Sequence, residues 1–356
     1  MILNPSILAL LISSLLIGFM VFYSAVYGAQ ILRKWDITSG SELQLTLERK
    51  TYLISTILSY FLGIQLISLF LFVFTVDSLC SLFVGAMCAV GALTVNGFGY
   101  PTLLLKLVNF ILAGLWLIIN HADNAGYDYP LIRKKYALLV VLTPLILAES
   151  ALEITYFLQM KPDIITSCCG SLFSPASRGI ASEIAAAPVF AMKITFAVAM
   201  GLTLLTGTLF LLKGRLAALF ALLSGGTFII SLVSLISFIS LYIYEMPSHH
   251  CPFCILQKEY CYIGYPLYAT LLLGAVTGMG VGVLSCPLQE DSQSRGHPAG
   301  VPATPGPHLR HLLAPLHYYC HLAPGIFLLT NGIVLTKLGL WNMWEQFVFS
   351  TERIKP

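Results

Sequence analysis

Residues 5–29 read PSILALLISSLLIGFMVFYSAVYGA, a run that contains no charged side chain. In lipid, only a helix or a closed barrel satisfies every backbone amide, and about 20 apolar residues in a helix cross a hydrocarbon core roughly 30 Å thick. No basic residue precedes the run and no small-residue cleavage site follows it. The stretch therefore predicts a transmembrane helix that is retained as an anchor rather than removed as a signal peptide.

The rest of the chain has the same apolar character. Of its 356 residues, 57% are hydrophobic and only 10% are charged, whereas about a quarter of the residues in soluble domains are charged. The 19 basic and 16 acidic residues leave a net charge of +3, which is too sparse to predict nucleic-acid binding. The predicted fold class is all-α, a polytopic membrane helix bundle surrounded by lipid. Eight predicted spans cover residues 5–29, 52–75, 102–120, 136–160, 185–212, 216–244, 260–283 and 322–340.

The segment 81–101 is also apolar, but glycines and Pro101 interrupt it. Glycine and proline favour turns over a continuous helix. We therefore predict an outward half-helix and turn at the membrane surface after the second span. A ninth span in this segment is the alternative.

Lysine and arginine in the short loops predict the orientation, because cytoplasmic loops carry an excess of both. The loops after the first, third and fifth predicted spans are basic, whereas those after the second, fourth and sixth carry few basic residues. The N-terminus is thus expected outside, in a protein of the bacterial inner membrane. The basic loop residues are Arg33, Lys34, Arg49, Lys50, Arg133, Lys134, Lys135, Lys213 and Arg215.

The composition divides the chain into three predicted regions. Residues 1–285 form a transmembrane bundle with three outward loops that carry cysteines. Residues 286–321 are rich in Pro, Gly and His, a composition that predicts a flexible cytoplasmic linker. Residues 322–356 hold the last span and a tail. No ATP-binding motif, dinucleotide fingerprint or hydrolase nucleophile motif occurs.

Six of the nine cysteines fall in the predicted outward loops. That face of the membrane is oxidising, so these cysteines can form structural or exchanging disulfides. Two others, Cys286 and Cys320, fall on the cytoplasmic side, where thiols stay reduced, and Cys261 is expected to pack inside the seventh span. The outward pairs are Cys80 with Cys88, Cys168 with Cys169, and Cys251 with Cys254.

The most informative motif is SHHCPFCILQKEY at residues 248–260. If the C-x-x-C pair lies at the outer end of a helix, unpaired amides and the helix dipole favour the thiolate of Cys251, the species that attacks disulfides. Protonated His249 and His250 would strengthen this effect. Lys258 is expected one turn beyond Cys254, with its ammonium near the membrane surface.

This arrangement, a helix followed by outward C-P-x-C and Ile-Leu-Gln-Lys leading into another helix, resembles the quinone-coupled thiol oxidases of the disulfide bond formation protein B type. It is also similar to the vitamin K epoxide reductase family, in which a separate loop pair of cysteines passes electrons to the C-x-x-C pair. Cys80 and Cys88, followed by NGFGYP at residues 96–101, resemble that loop pair. Lys258 stands where the first family has arginine.

The resemblance implies a membrane thiol-disulfide oxidoreductase that exchanges electrons between periplasmic dithiols and a membrane quinone. In that reading Cys251 is the partner-facing thiol and Cys254 the second member of its pair. A loop pair, Cys80 with Cys88 or Cys168 with Cys169, relays electrons to or from a periplasmic thioredoxin-like protein. Gln257 and Lys258 would meet the quinone head.

A soft-metal site is the main alternative. A disulfide between neighbouring cysteines closes a strained eight-membered ring, so a vicinal pair such as Cys168 and Cys169 more often binds soft metal ions or forms bonds to separate partners. Thiolate and imidazole ligands suit Cu(I) or Zn²⁺, which predicts transport or insertion of copper, mercury or zinc. A membrane subunit of a respiratory complex, with cysteines that only brace loops, is a further alternative. The candidate ligands are His249, His250, Cys251, Cys254, Cys168 and Cys169.

Charged residues inside the spans suggest a proton relay or a structural ion pair. Glu149 and Glu153 are four residues apart, hence on one helix face, and depth matching allows Glu153 to pair with Lys193 of the next span. Quinone reduction takes up two protons, and a buried carboxylate can carry them. A haem site is a weaker possibility, with ligands among His121, His308, His311, His317 and His321.

Overall fold

The computed structural model describes residues 3–35, 41–125, 129, 131–161, 166, 183–184, 187–213, 216–244 and 249–294. Within these residues the regular secondary structure is helical, without strands. Seven of the described helices are long and apolar enough to cross a membrane. The protein is thus an all-α polytopic membrane helix bundle, as the sequence predicts.

The described helices divide into two compact units. Unit 1 contains α1 (Pro5–Lys34), α2 (Glu42–Leu79), α3 (Ala89–Leu93), α4 (Gly99–Ala125) and α5 (Ile132–Leu158). Unit 2 contains α6 (Val189–Lys213), α7 (Ala217–Ser234), α8 (Ser240–Tyr244) and most of α9 (Gly264–Ser294). The part of α9 that belongs to unit 2 ends at residue 286.

The four long helices of unit 1 form a ring in which each packs against two neighbours. Helix α1 contacts α2 and α5, and α4 contacts the same two helices. Asn4 caps α1 by accepting a hydrogen bond from the Ser6 N–H, and Pro5 supplies the fixed φ that suits a first turn. Large apolar side chains fill the centre of the ring, including Ile17, Leu58, Leu62, Trp116, Leu139, Leu142 and Ile146.

The segment between α2 and α4 packs onto the end of this bundle. Its half-helix, α3, has all five residues buried. The hydroxyl of Tyr156 in α5 donates to the Ala92 carbonyl, and the Asn96 side chain donates to the Tyr156 carbonyl. Gly99 begins α4 where a Cβ would overlap the Leu93 carbonyl oxygen. A short helix therefore occurs where a half-helix is predicted, while its outward position stays a prediction; we call residues 83–98 the cap segment of unit 1.

Unit 2 is held by close contacts between small polar residues. The hydroxyls of Thr203 in α6 and Thr227 in α7 hydrogen-bond at 2.6 Å. Gly278 of α9 lies so close to Ser224 of α7 that a Cβ would overlap its side chain. A π-helical turn, Leu235–Ile239, joins α7 to α8 within one span.

The first seven predicted spans correspond to observed helices, although the seventh begins at Gly264 rather than at residue 260. Helix α9 continues to Ser294, into the predicted linker. The eighth predicted span, residues 322–340, and the rest of the linker lie outside the described residues. The division into residues 1–285, 286–321 and 322–356 therefore stays a prediction.

Candidate functional site

The C-P-F-C motif lies in the irregular loop of unit 2 between α8 and α9. His250 anchors this loop, because its Nδ1 lies 3.0 Å from the Ile236 carbonyl oxygen in the π-helical turn. A π turn disturbs the regular i to i−4 bonding of a helix and so changes which carbonyls are available to side chains. A carbonyl only accepts, so Nδ1 of His250 carries the hydrogen. His250 is buried, with 6% of its surface exposed.

Two tyrosines hold the backbone of the motif. The hydroxyl of Tyr244, at the end of α8, donates to the Cys251 carbonyl, and the hydroxyl of Tyr268, in α9, donates to the Pro252 carbonyl. The Tyr244 ring also packs edge-on against His249 at 4.7 Å between centroids. Both helices that flank the loop thus fix the position of its first cysteine.

The two thiols of the motif lie close together beside a histidine. The Sγ atoms of Cys251 and Cys254 are within 4.8 Å of each other, and no disulfide occurs among the described cysteines. The Nε2 atom of His249 lies 3.3 Å from Cys254 Sγ. Both cysteines are buried, whereas His249 is half-buried. An imidazole at this distance can exchange a proton with the thiol or share a soft ion with it.

The expected placement of the motif at a helix end is wrong. Cys254 begins a 3₁₀ turn, Cys254–Leu256, a second turn, Lys258–Tyr260, follows, and α9 starts only at Gly264. The field of a helix dipole acts mainly within the first turn, and α9 begins well beyond Cys251. The α9 dipole therefore does not favour the Cys251 thiolate. His249, next to Cys254, is the nearby group that can favour a thiolate.

Cys261 also differs from expectation. It is exposed and has a left-handed backbone with φ of 51°, so it does not pack inside a span. Tyr262, with φ of 55°, continues this bend.

Other residues of the loop differ in exposure and charge. Partial burial raises the pKa of Tyr260, and the negative charges of Cys254 and Glu259 raise it further. Lys258 is exposed, and Gln257 is partly buried.

Cys80 and Cys88 lie in unit 1, at either side of the bend that leads into the cap segment. Cys80 follows α2 directly and is partly exposed, whereas Cys88 immediately precedes α3 and is buried. The two cysteines of this predicted pair thus flank the same bend in unit 1.

The two span glutamates lie in a buried polar cluster of unit 1. Glu149 accepts hydrogen bonds from Gln65 at 2.7 and 2.9 Å, from Lys106 at 2.8 Å, and from Asn109. Glu153 lies 3.2 Å from the Lys106 Nζ. The cation that lies beside both carboxyl groups in unit 1 is therefore Lys106 of α4, whereas depth matching alone allowed Lys193 as the partner of Glu153.

A second buried ion pair lies at the other end of α4 and α5. Lys135 donates to Asp123 at 2.5 Å, and the other Asp123 oxygen accepts the Leu131 N–H at 3.0 Å. Both side chains are fully buried. Lys135 therefore does not belong among the exposed loop charges, although Arg133 and Lys134 are exposed.

Sequence reasoning missed several members of these clusters. Gln65, Ser68, Asn109 and Asp123 were not singled out, although each is a polar side chain within or at the end of an apolar run. Sequence spacing could have identified Asn109, because it follows Lys106 by three residues and so lies on the same helix face.

The remaining predicted site residues lie elsewhere. His121 is exposed in α4. Outside the described residues are Cys168, Cys169, Cys320, His308, His311, His317, His321 and the side chain of Cys286.

Comparisons of the chain with protein-family models, with curated proteins and with solved structures found no significant match.

Proposed function

We propose that the protein is a membrane thiol-disulfide oxidoreductase whose redox pair is Cys251 and Cys254. The observation that carries this proposal is the close approach of the two thiols, with His249 3.3 Å from the second. A two-electron oxidation can join two thiols this close in a disulfide once side-chain rotation brings the Sγ atoms to bonding distance, about 2 Å.

The exchange proceeds by attack of a partner thiolate on Cys251 Sγ of the oxidised pair. The bond between Cys251 and Cys254 breaks, a mixed disulfide forms on Cys251, and Cys254 leaves as a thiolate. Protonated His249 stabilises that leaving thiolate, and a better-stabilised leaving group departs faster. The partner's second thiolate then attacks its own bonded sulfur, which releases Cys251 and leaves the partner oxidised.

Reoxidation of the pair requires an acceptor for two electrons and two protons, and a membrane quinone is the acceptor that the family resemblance implies. When bound, a quinone takes up both electrons and both protons as it becomes a quinol. Lys258 is exposed, and its ammonium hydrogen-bonds to none of the described residues, so it is available to a polar head; Gln257 is the second candidate. These residues fit such a group, which would lie near the surface of the bilayer.

We also propose, from the same resemblance, that a loop pair relays electrons to a periplasmic thioredoxin-like partner, with the protein in the bacterial inner membrane and its N-terminus outside. The candidates are Cys80 with Cys88 and Cys168 with Cys169. The partly exposed position of Cys80 suits a thiol that meets a soluble partner.

Cysteine substitution tests the proposal in the full-length membrane protein. Run in reverse, the exchange begins with attack of the Cys251 thiolate on the disulfide of an oxidised partner, and Cys254 must then attack the mixed disulfide to complete it. In Cys254→Ala that second thiol is missing, so a covalent adduct should accumulate that reductant dissolves on a non-reducing gel. Cys251→Ala should trap much less adduct. Repeating the experiment with Cys80→Ala and Cys88→Ala added distinguishes a partner protein from an internal disulfide. Equal behaviour of the two single variants without any adduct would overturn the proposal.

Soft-metal handling is a second candidate, favoured by the same three donor atoms. The thiolates of Cys251 and Cys254 with Nε2 of His249 make a sulfur and nitrogen set that suits Cu(I) or Zn²⁺. His250 is a weaker ligand candidate, since its Nδ1 is engaged by the Ile236 carbonyl. Metal binding predicts that either cysteine substitution weakens the affinity for added Cu(I) to a similar degree, with no adduct.

A further inference from the structure

The buried cluster of unit 1 contains one cation and two carboxyl groups, Lys106, Glu149 and Glu153. Each has at most 2% of its side-chain surface exposed. The cluster lies where the start of α4 faces the end of α5, wholly within unit 1. An inference from it is therefore independent of the proposed thiol chemistry in unit 2.

The two carboxyl groups have different surroundings. Each oxygen of Glu149 accepts two hydrogen bonds, Oε1 from Lys106 and Gln65, and Oε2 from Gln65 and Asn109. Such a set of donors is typical of an ionised carboxylate. By contrast, neither oxygen of Glu153 has a hydrogen-bond partner among the described residues. Its contact with Lys106, at 3.2 Å, lacks hydrogen-bonding geometry.

Charge balance separates the two groups further. Lys106 also donates to Ser68, and its one positive charge is matched by ionised Glu149. An ionised Glu153 would add an unmatched negative charge in a site with almost no exposed surface, and burying an unpaired charge is strongly unfavourable. Neutral, protonated Glu153 has no such cost.

The other helices at the cluster bring no further charge to it. Helix α1 carries no Asp, Glu, Lys, Arg or His before Arg33, and α2 contributes the neutral Gln65 and Ser68. Asp77 of α2 is engaged by the Ala89 N–H of the cap segment. The Tyr156 hydroxyl, one turn beyond Glu153, donates to the Ala92 carbonyl.

We propose that Glu153 is a proton-binding site inside unit 1 and that Glu149 is the permanent counter-ion of Lys106. A hydronium ion from water supplies the proton, which adds to a Glu153 carboxylate oxygen to give the neutral acid. Release of the proton leaves Glu149 and Glu153 to share the one Lys106 ammonium, which lies within 3.2 Å of both.

The packing also determines which end of the bundle exchanges this proton. Glu153 lies five residues, or about 8 Å, before the end of α5 beneath the cap segment. Toward the other end, the same helix faces carry mainly buried apolar residues, and buried Asn120 lies one turn before the second ion pair. The apolar residues are Ala113, Trp116, Leu139, Leu142 and Ile146. The shorter route from Glu153 to solvent is thus toward the capped end of the bundle, and we place the exchange of its proton there.

Infrared spectroscopy and thermal unfolding of the full-length protein in lipid nanodiscs test the assignment. At neutral pH the wild-type protein should show the carbonyl band of a protonated carboxyl, at the high-frequency end expected for weak hydrogen bonding. Glu153→Gln replaces the neutral acid with a neutral isostere, so it should remove this band and change Tm by less than about 2 °C.

Glu149→Gln removes the negative charge beside Lys106 and replaces one accepting oxygen, which receives two of the four hydrogen bonds, with a donor; it should lower Tm by more than about 5 °C. Asp123→Asn is the matched control, because Asp123 is also a saturated partner of a buried lysine; it should lower Tm similarly and leave the band unchanged. The proposal is overturned if the wild-type protein has no such band above acidic pH. It is also overturned if Glu153→Gln destabilises the protein as much as Glu149→Gln does, or prevents its folding.

Discussion

His249 Nε2 lies 3.3 Å from Cys254 Sγ, although the two residues are five positions apart in a loop without regular helix. The arrangement depends on anchors at both ends, His250 on the Ile236 carbonyl and Tyr268 on the Pro252 carbonyl. It gives the second cysteine of the motif, rather than the first, a neighbouring group able to hold a proton.

Removal of this imidazole should slow the chemistry of Cys254. We expect His249→Gln, in a Cys251→Ser background, to reduce the alkylation rate of Cys254 at neutral pH by about tenfold, because less of the thiol is ionised without a cationic neighbour. The exposed Cys261 serves as the internal control, and its rate should not change. An unchanged Cys254 rate would remove His249 from the proposed mechanism.

The sequence predicts the fold class and seven helices because an apolar run long enough to cross lipid has few alternatives. Periodicity also places Glu149 and Glu153 on one helix face. It does not tell which helices are neighbours, so depth matching alone allows Lys193 as a partner of Glu153. The packing of α4 against α5 brings Lys106 to Glu153, and this packing depends on the shapes of many side chains at once.

The thiol site shows a similar limit. The C-x-x-C spacing identifies Cys251 and Cys254, but the loop's two 3₁₀ turns and left-handed Cys261 are not encoded by any Gly or Pro at those positions. The role of His249 follows from this irregular backbone, which local propensities predict poorly.

The second ion pair of unit 1, Asp123 with Lys135, should be strongly coupled. Lys135→Met or Asp123→Asn alone leaves a buried group without its partner and should lower the free energy of unfolding by about 3–5 kcal/mol. The double variant should lose less than the sum, since both charges are then absent. A chemical-denaturation cycle in a membrane mimetic measures the coupling, and additive losses would contradict the paired arrangement.

The junction between the cap segment and α4 should tolerate no side chain at Gly99. A Cβ there would overlap the Leu93 carbonyl oxygen and lie 2.9 Å from the Tyr156 ring, so Gly99→Ala should lower the free energy of unfolding by about 1–3 kcal/mol. Gly97→Ala is the matched control, because nothing lies within 4 Å of a Cβ at that position. Equal stability of the two variants would mean that the cap segment does not pack on α4 as described.

Cys261 offers a direct test of the side of the membrane on which the thiol loop lies. It is exposed and shares the loop with Cys251 and Cys254, which are both buried. In right-side-out vesicles, a maleimide that cannot cross the bilayer should therefore label Cys261 faster than either motif cysteine, if the loop faces outward as the basic-residue distribution predicts. Cys261→Ala should abolish the fast phase of labelling and leave the slower reaction of the motif. Labelling of Cys261 only after the vesicles are permeabilised would reverse the orientation, and it would place the thiol pair on the reducing side, where exchange with a periplasmic partner is excluded.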